Sequence, residues 1–125
     1  MTARRRRFDR DPNNVRAVRS FVGEEASRSG ADPDTAALIA SELATNAVLH
    51  AHSSFEIRVP ETGFDVFRVE VVNDAPEMLA AVREPSATGG RGLHIVDTLS
   101  RRWGTEVLGD QKVVWFELPA SPNGD

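Results

Sequence analysis

Two Asp-Pro pairs, Asp11-Pro12 and Asp32-Pro33, each open a stretch of helical apolar spacing, and from Phe55 the chain changes to period-two alternation. That ordered switch constrains the fold more than any other feature. An aspartate side chain accepts a free N–H of the first helical turn, and a proline just inside the start lacks only an N–H the helix cannot use. After the first pair, Val15, Val18, Phe21 and Val22 recur at helical spacing until Gly30. The second pair predicts a helix from residue 32 to about residue 50 or 51. Phe55, Ile57 and Val59 then alternate, a turn follows at residues 60–63, and residues 66–73 read as a longer strand. Two strands joined by a short glycine-containing turn predict an antiparallel hairpin. Residues 93–99 return to helical spacing, and residues 103–108 and 112–118 read as a closing hairpin around Gly109-Asp110. Residues 4–9 fit a first strand. Helices segregated from antiparallel strands predict an α+β two-layer sandwich, a mainly antiparallel sheet with helices on one face.

With 125 residues the chain fits a single domain, with a core over residues 12–118 and short ends. A hydrophobic share of 40% beside 27% charged residues is globular composition. Nothing approaches the ~20 apolar residues of a membrane span, and no apolar signal segment follows the basic start, so no membrane partner is expected. The absence of cysteine excludes a disulfide framework and a thiolate zinc site, and makes a cytoplasmic location the expectation. A net charge of −4 argues against direct nucleic-acid binding. The run Arg4, Arg5, Arg6, Arg7 is the local exception; it suits phosphates or an acidic protein, or else a frayed N-terminus or an edge strand guarded against sheet-to-sheet pairing. No aromatic residue interleaves the run, which favours the latter two.

On the second helix Glu42, Asn46 and His50 are spaced i, i+4, i+8 and share one narrow stripe. Leu38 and Leu49 lie on one side of it and Ala36, Leu43 and Ala47 on the other, with Ser41, Ala44 and Thr45 on the opposite, expectedly wet arc. An acid, an amide and an imidazole are thus expected inside the apolar arc. A buried unpaired carboxylate costs several kcal/mol, so the stripe needs a partner or a water-filled cavity. The plainer alternative is a helix rotated so that Glu42 and Asn46 are ordinary surface residues. His50 is given no role.

The strand over residues 66–73 delivers Asp74 to its end. A carboxylate there can accept a hydrogen bond from an exocyclic amine such as the 6-amino group of adenine, where guanine presents a repelling carbonyl. An Asx-turn over Asp-Ala-Pro explains the same residue. Gly89-Gly90-Arg91-Gly92 precedes the helix that starts near Leu93. Glycines let a backbone approach closely and a helix start offers unpaired N–H donors, which suits phosphate, and Arg91 adds a charge-assisted contact. Glycine pairs are equally common in plain turns. Neither a Rossmann unit nor a P-loop fits the order of the pieces.

Taken together these residues resemble the histidine-kinase-like ATPase superfamily, and within it the free-standing anti-sigma-factor serine/threonine kinases of the short actinobacterial type. The run from Ser41 to His50 is similar to that family's helix motif, Val69 to Asp74 to its strand with the adenine-reading aspartate, and Gly90-Arg91-Gly92-Leu93 to its second glycine box. The resemblance implies ATP and Mg2+ as cofactors and a Bergerat-type fold. Glu42 would orient or deprotonate the attacking hydroxyl, Asn46 would hold the magnesium, and Asp74 would read adenine. Gly90, Arg91, Gly92 and Leu93 would cradle the phosphates, with residues 77–88 as the lid. The implied activity is phosphorylation of an anti-sigma-factor antagonist, with a sigma factor as the other protein partner. The alternative is a silent module of the same fold that holds a sigma factor or another regulator. Relatives of this type commonly dimerise, so a homodimer stays open. The sequence departs from the family where Ala75-Pro76-Glu77-Met78 replaces a glycine-containing continuation, and where Val113 stands for a threonine near the adenine.

Overall fold

The computed structural model describes residues 4–50, 53–63, 65–73 and 90–121. Its elements in chain order are β1 (Arg4–Phe8), α1 (Asn14–Ser29), α2 (Pro33–His50), β2 (Phe55–Val59), β3 (Val66–Asn73), α3 (Gly90–Leu99), β4 (Arg102–Leu108) and β5 (Gln111–Pro119). The strands form one sheet in the order β1-β2-β3-β5-β4, with every described pairing antiparallel. The α+β sandwich expected from the switch of period is the fold observed.

Alternation along the strands decides which residues meet the helices. Phe55, Ile57, Val69, Val71, Val114 and Phe116 project to one side and join Val18, Val22, Ile39, Leu43 and Val96 in the buried core. Phe55, Phe67 and Phe116 are fully buried, and truncating any of them to alanine would cost about 3–5 kcal/mol. The opposite side carries charges in ladder register: Arg68 bonds Glu70 at 2.9 Å and Glu117 at 3.0 Å, and its guanidinium lies 4.2 Å from the Trp115 ring centroid. Burial of Arg68 works against its charge, but the hydrogen bonds to Glu70 and Glu117 outweigh it and raise its pKa.

The helix ends follow the sequence signals with one shift. Asp32 holds the start of α2: its Oδ1 accepts the Asp34 N–H at 3.1 Å and its Oδ2 the Thr35 hydroxyl at 2.7 Å. Asp11 does less. Its Oδ1 accepts the Asn13 N–H at 2.9 Å in a turn, and α1 begins only at Asn14. Gly30 ends α1 at φ +81, where the Ala31 N–H reaches back to the Ala26 carbonyl at 2.9 Å. The third helix differs more: Gly90, Arg91 and Gly92, expected as loop, already form the first turn of α3.

The arginine run is an edge strand. Arg4 and Arg28 both pair with the buried Glu25, at 3.3 and 2.6 Å, Arg7 donates to Ser54 Oγ at 2.9 Å, and Arg6 lies over the Phe8 ring at 5.0 Å. Three of the four cations are thus occupied inside the fold.

Candidate functional site

α2 is wrapped on three sides, by α1, by α3 and by the sheet, so its buried arc is wider than half the helix. The roll differs from the expected one. Ser41 and Ala44 are buried at 8% and 0% exposure, while Leu38 and Leu49 are exposed at 41% and 63%. α1 packs along α2 and approaches it closely at Ala37. A Cβ placed on Gly23 of α1 would sit 3.9 Å from Ala37 Cβ. Small side chains permit that approach, and Ser41 Oγ satisfies itself on the Leu38 carbonyl at 2.8 Å.

This roll puts the polar stripe on the rim of the buried arc. Glu42 is half-buried and carries no hydrogen bond or ion pair to a described residue. One turn on, Asn46 is buried at 6% exposure, and no described residue hydrogen-bonds its amide. Among the described side chains only Trp115 Nε1 is fully buried without a partner, so the Asn46 amide keeps a little contact with water. A carboxylate at the rim and an amide just inside it, both without a protein partner among the described residues, form a place where a ligand can supply the partners. The His50 side chain lies outside the described residues.

The other expected site residues are placed in part. The backbones of Gly90, Arg91, Gly92 and Leu93 form the N-terminal turn of α3, which packs against α2. A helix start offers unpaired N–H donors and partial positive charge, which is chemistry that suits an anion. The side chains of these four residues, and Asp74, Ala75, Pro76, Glu77, Met78 and the lid over residues 77–88, lie outside the described residues. Trp103 Nε1 donates to Asp97 Oδ1 at 3.0 Å and ties α3 to the closing hairpin.

Sequence reasoning missed Asn73. It is the last residue of β3, pairs with Lys112, is 4% exposed, and by alternation shares the helix-facing side with Val69 and Val71. Its signal was present in the parity of the strand. Val113 pairs with Val72 on the face away from the helices, while Val114 occupies the helix-facing position.

Among the described residues no cluster of three His, Asp or Glu could hold a metal ion alone. Magnesium commonly takes one or two protein oxygens and completes its shell with phosphate and water, so the Asn46 amide oxygen is a fitting donor beside a nucleotide. Clefts walled by described residues lie elsewhere: about 260 Å³ beneath the β2–β3 turn by Arg4 and Arg28, and about 580 Å³ between α1 and α2.

The histidine kinase-like ATPase domain model matches residues 8–117 of the chain. This chain belongs to that family. Family membership implies ATP binding. Among solved structures it is similar to a nucleotide-free form of the catalytic domain of histidine kinase ThkA, with TM-score 0.59 and 20% identity over 98% of this chain and 99% of that one. A second nucleotide-free form gives TM-score 0.57 at 19% identity, with the same coverage. At that identity the likeness establishes the fold. No curated protein matches the chain. No described helix is long and apolar enough to cross a membrane.

Proposed function

We propose that the chain is a cytoplasmic regulator that binds Mg2+ and ATP and phosphorylates a serine or threonine of an anti-sigma-factor antagonist, releasing or capturing a sigma factor in turn. The observation that carries this reading is the pair on α2: a half-exposed carboxylate at Glu42 one turn from a largely buried amide at Asn46, neither with a protein partner among the described residues. Phosphoryl transfer asks a protein mainly for positioning and charge neutralisation. Asn46 donates its amide oxygen to the magnesium. The N-terminal turn of α3, with Arg91, holds the phosphates, and Glu42 accepts the proton of the incoming hydroxyl. Asp74 reads the adenine amine, and Asn73, on the helix-facing side of the same strand end, is a second candidate for contact with the base.

The departures after Asp74 favour one competing reading, a module that holds its protein partner without turning nucleotide over. Pro76 offers no N–H to the site, where the family has a more open backbone. Two measurements separate the readings. Calorimetry with ATP, ADP and GTP, with and without Mg2+, should give magnesium-dependent binding that prefers adenine. Labelled ATP incubated with the chain and the antagonist of its own locus should then label the antagonist. Binding without transfer leaves the silent module, and equal affinity for ATP and GTP removes the adenine-reading role of Asp74.

A further inference from the structure

We propose that Lys112 is a phosphate-contacting residue of the nucleotide site, its ammonium meeting the phosphate chain from the sheet while the first turn of α3 meets it from the helix layer. The proposal rests on the reading that the chain binds Mg2+ and ATP, and adds to it a residue from the closing hairpin.

Strand register places the lysine. Lys112 is the second residue of β5. Val114, Phe116 and Leu118 follow it at alternate positions and belong to the buried core, so Lys112 lies on the helix-facing side of the strand. It stands opposite Asn73, the last residue of β3, and opposite Val107 of β4. That is the end of the sheet at which β3 passes into Asp74. α3 reaches the same end. The chain leaves it at Leu99, the Arg101 N–H bonds the Glu117 carbonyl at 2.8 Å, and β4 then runs back along β5 from Glu117 to Gln111. Because α3 packs on β4, it finishes at the Glu117 end and starts toward the Lys112 end. Ten residues of helix cover ~15 Å and the strand from Glu117 to Lys112 ~17 Å, so the first turn of α3 and the lysine reach the same end of the sandwich.

Charge sets this lysine apart. Among the described residues three cations are half-buried: Arg58, Arg68 and Lys112. Arg58 pairs with Glu56, and Arg68 with Glu70 and Glu117. Lys112 has neither a carboxylate nor another hydrogen-bond acceptor among the described residues. Glu106 and Asp110 of the same hairpin are exposed and form no ion pair with it. A partly desolvated ammonium on the core side of a sheet is held at a cost that an incoming anion removes. The residue type fits as well. The other fourteen basic residues of the chain are arginine. A compact ammonium on a flexible stem can meet whichever phosphate oxygen the magnesium leaves open, whereas a planar guanidinium favours two oxygens in one plane.

The test is calorimetry on the full chain with ATP and Mg2+, with adenosine, and with inorganic tripolyphosphate. Lys112→Met keeps the stem and removes the charge. It should weaken ATP about tenfold or more, as the loss of a charge-assisted hydrogen bond does, and leave adenosine at the wild-type affinity. Lys112→Arg should recover most of that loss, and neither variant should melt below the wild type without nucleotide. Unchanged ATP affinity in Lys112→Met overturns the proposal and leaves the nucleotide reading standing. An equal loss of ATP and adenosine affinity that arginine does not rescue overturns it too, because the side chain then acts on the base or on the fold. A wild-type chain that binds tripolyphosphate through Lys112 but does not bind ATP overturns the nucleotide reading and keeps the phosphate contact. A wild-type chain that binds neither overturns both.

Discussion

Replacing Asn46 by leucine should make the nucleotide-free protein more stable while removing its response to nucleotide. Asn46 is 6% exposed and has no hydrogen-bond partner among the described residues, so only the little water that reaches its amide serves it in the free fold. Burying an amide without compensation costs about 1–3 kcal/mol on mutational scales, and the small residual exposure puts this site at the lower end. Leucine branches at the same carbon but is larger, so overpacking takes back part of the gain, while its helix propensity is better by a few tenths of a kcal/mol. The expected net gain is about 1 kcal/mol, or roughly 3–6 °C in Tm for a chain of this size. With Mg2+ and ATP at about a hundred times Kd the wild type should gain ~2.7 kcal/mol and overtake the variant, which should gain nothing. Thermal melts of both proteins, with and without nucleotide, give all four numbers. A nucleotide-free variant that loses 1 kcal/mol or more would refute the reasoning, because the amide would then be a structural hydrogen-bonder.

Glu42→Gln should lower phosphoryl transfer to the antagonist by about 10²–10⁴-fold with little change in ATP affinity, since a positioned base acts in the transition state; equal single-turnover rates would remove Glu42 from the chemistry. Gly30→Ala should destabilise by about 2–4 kcal/mol in denaturant titration. It forces φ +81 on a residue with a Cβ, and that Cβ would lie 1.7 Å from Ser121 O. The Thr35 hydroxyl, aided by backbone N–H groups, holds the Asp32 carboxyl below the usual carboxylate range. A depressed folded pKa contributes stability above the unfolded value of 3.8 that is lost as pH falls through the folded value. The stability gap between wild type and Asp32→Ala should therefore be widest near neutral pH and narrow below about pH 4; a gap constant from pH 7 to pH 2 would contradict this.

The parts of the fold that could be read from the sequence are those set by short-range chemistry. Asp32 and Pro33 mark the start of α2 within a residue, because the cap hydrogen bonds involve only Asp34 and Thr35. The alternation of Phe55, Ile57 and Val59 and of Val69 and Val71 marks β2 and β3, because pleating alone dictates which side chains share a face. The roll of α2 could not be read the same way. Periodicity locates an apolar stripe, but Ser41 and Ala44 are buried as well on a helix packed against α1, α3 and the sheet, and hydropathy does not weigh the close packing that small residues allow.

That failure bears directly on the site. With the expected roll, Glu42 would be buried among apolar residues and would need a charge partner to be tolerated. With the observed roll, Glu42 stands at the rim, where solvent carries its charge until a hydroxyl arrives, and only the neutral Asn46 bears the cost of burial. The arrangement assigns the less costly burial to the residue whose proposed ligand, a magnesium ion, gains most from exclusion of water. It leaves the Glu42 carboxylate half-exposed, where on the proposed reading a substrate side chain would meet it from outside. On that reading, a base at the rim and a metal ligand within is the order of depth that transfer from a bound nucleotide to another protein requires, because the acceptor enters last and from solvent.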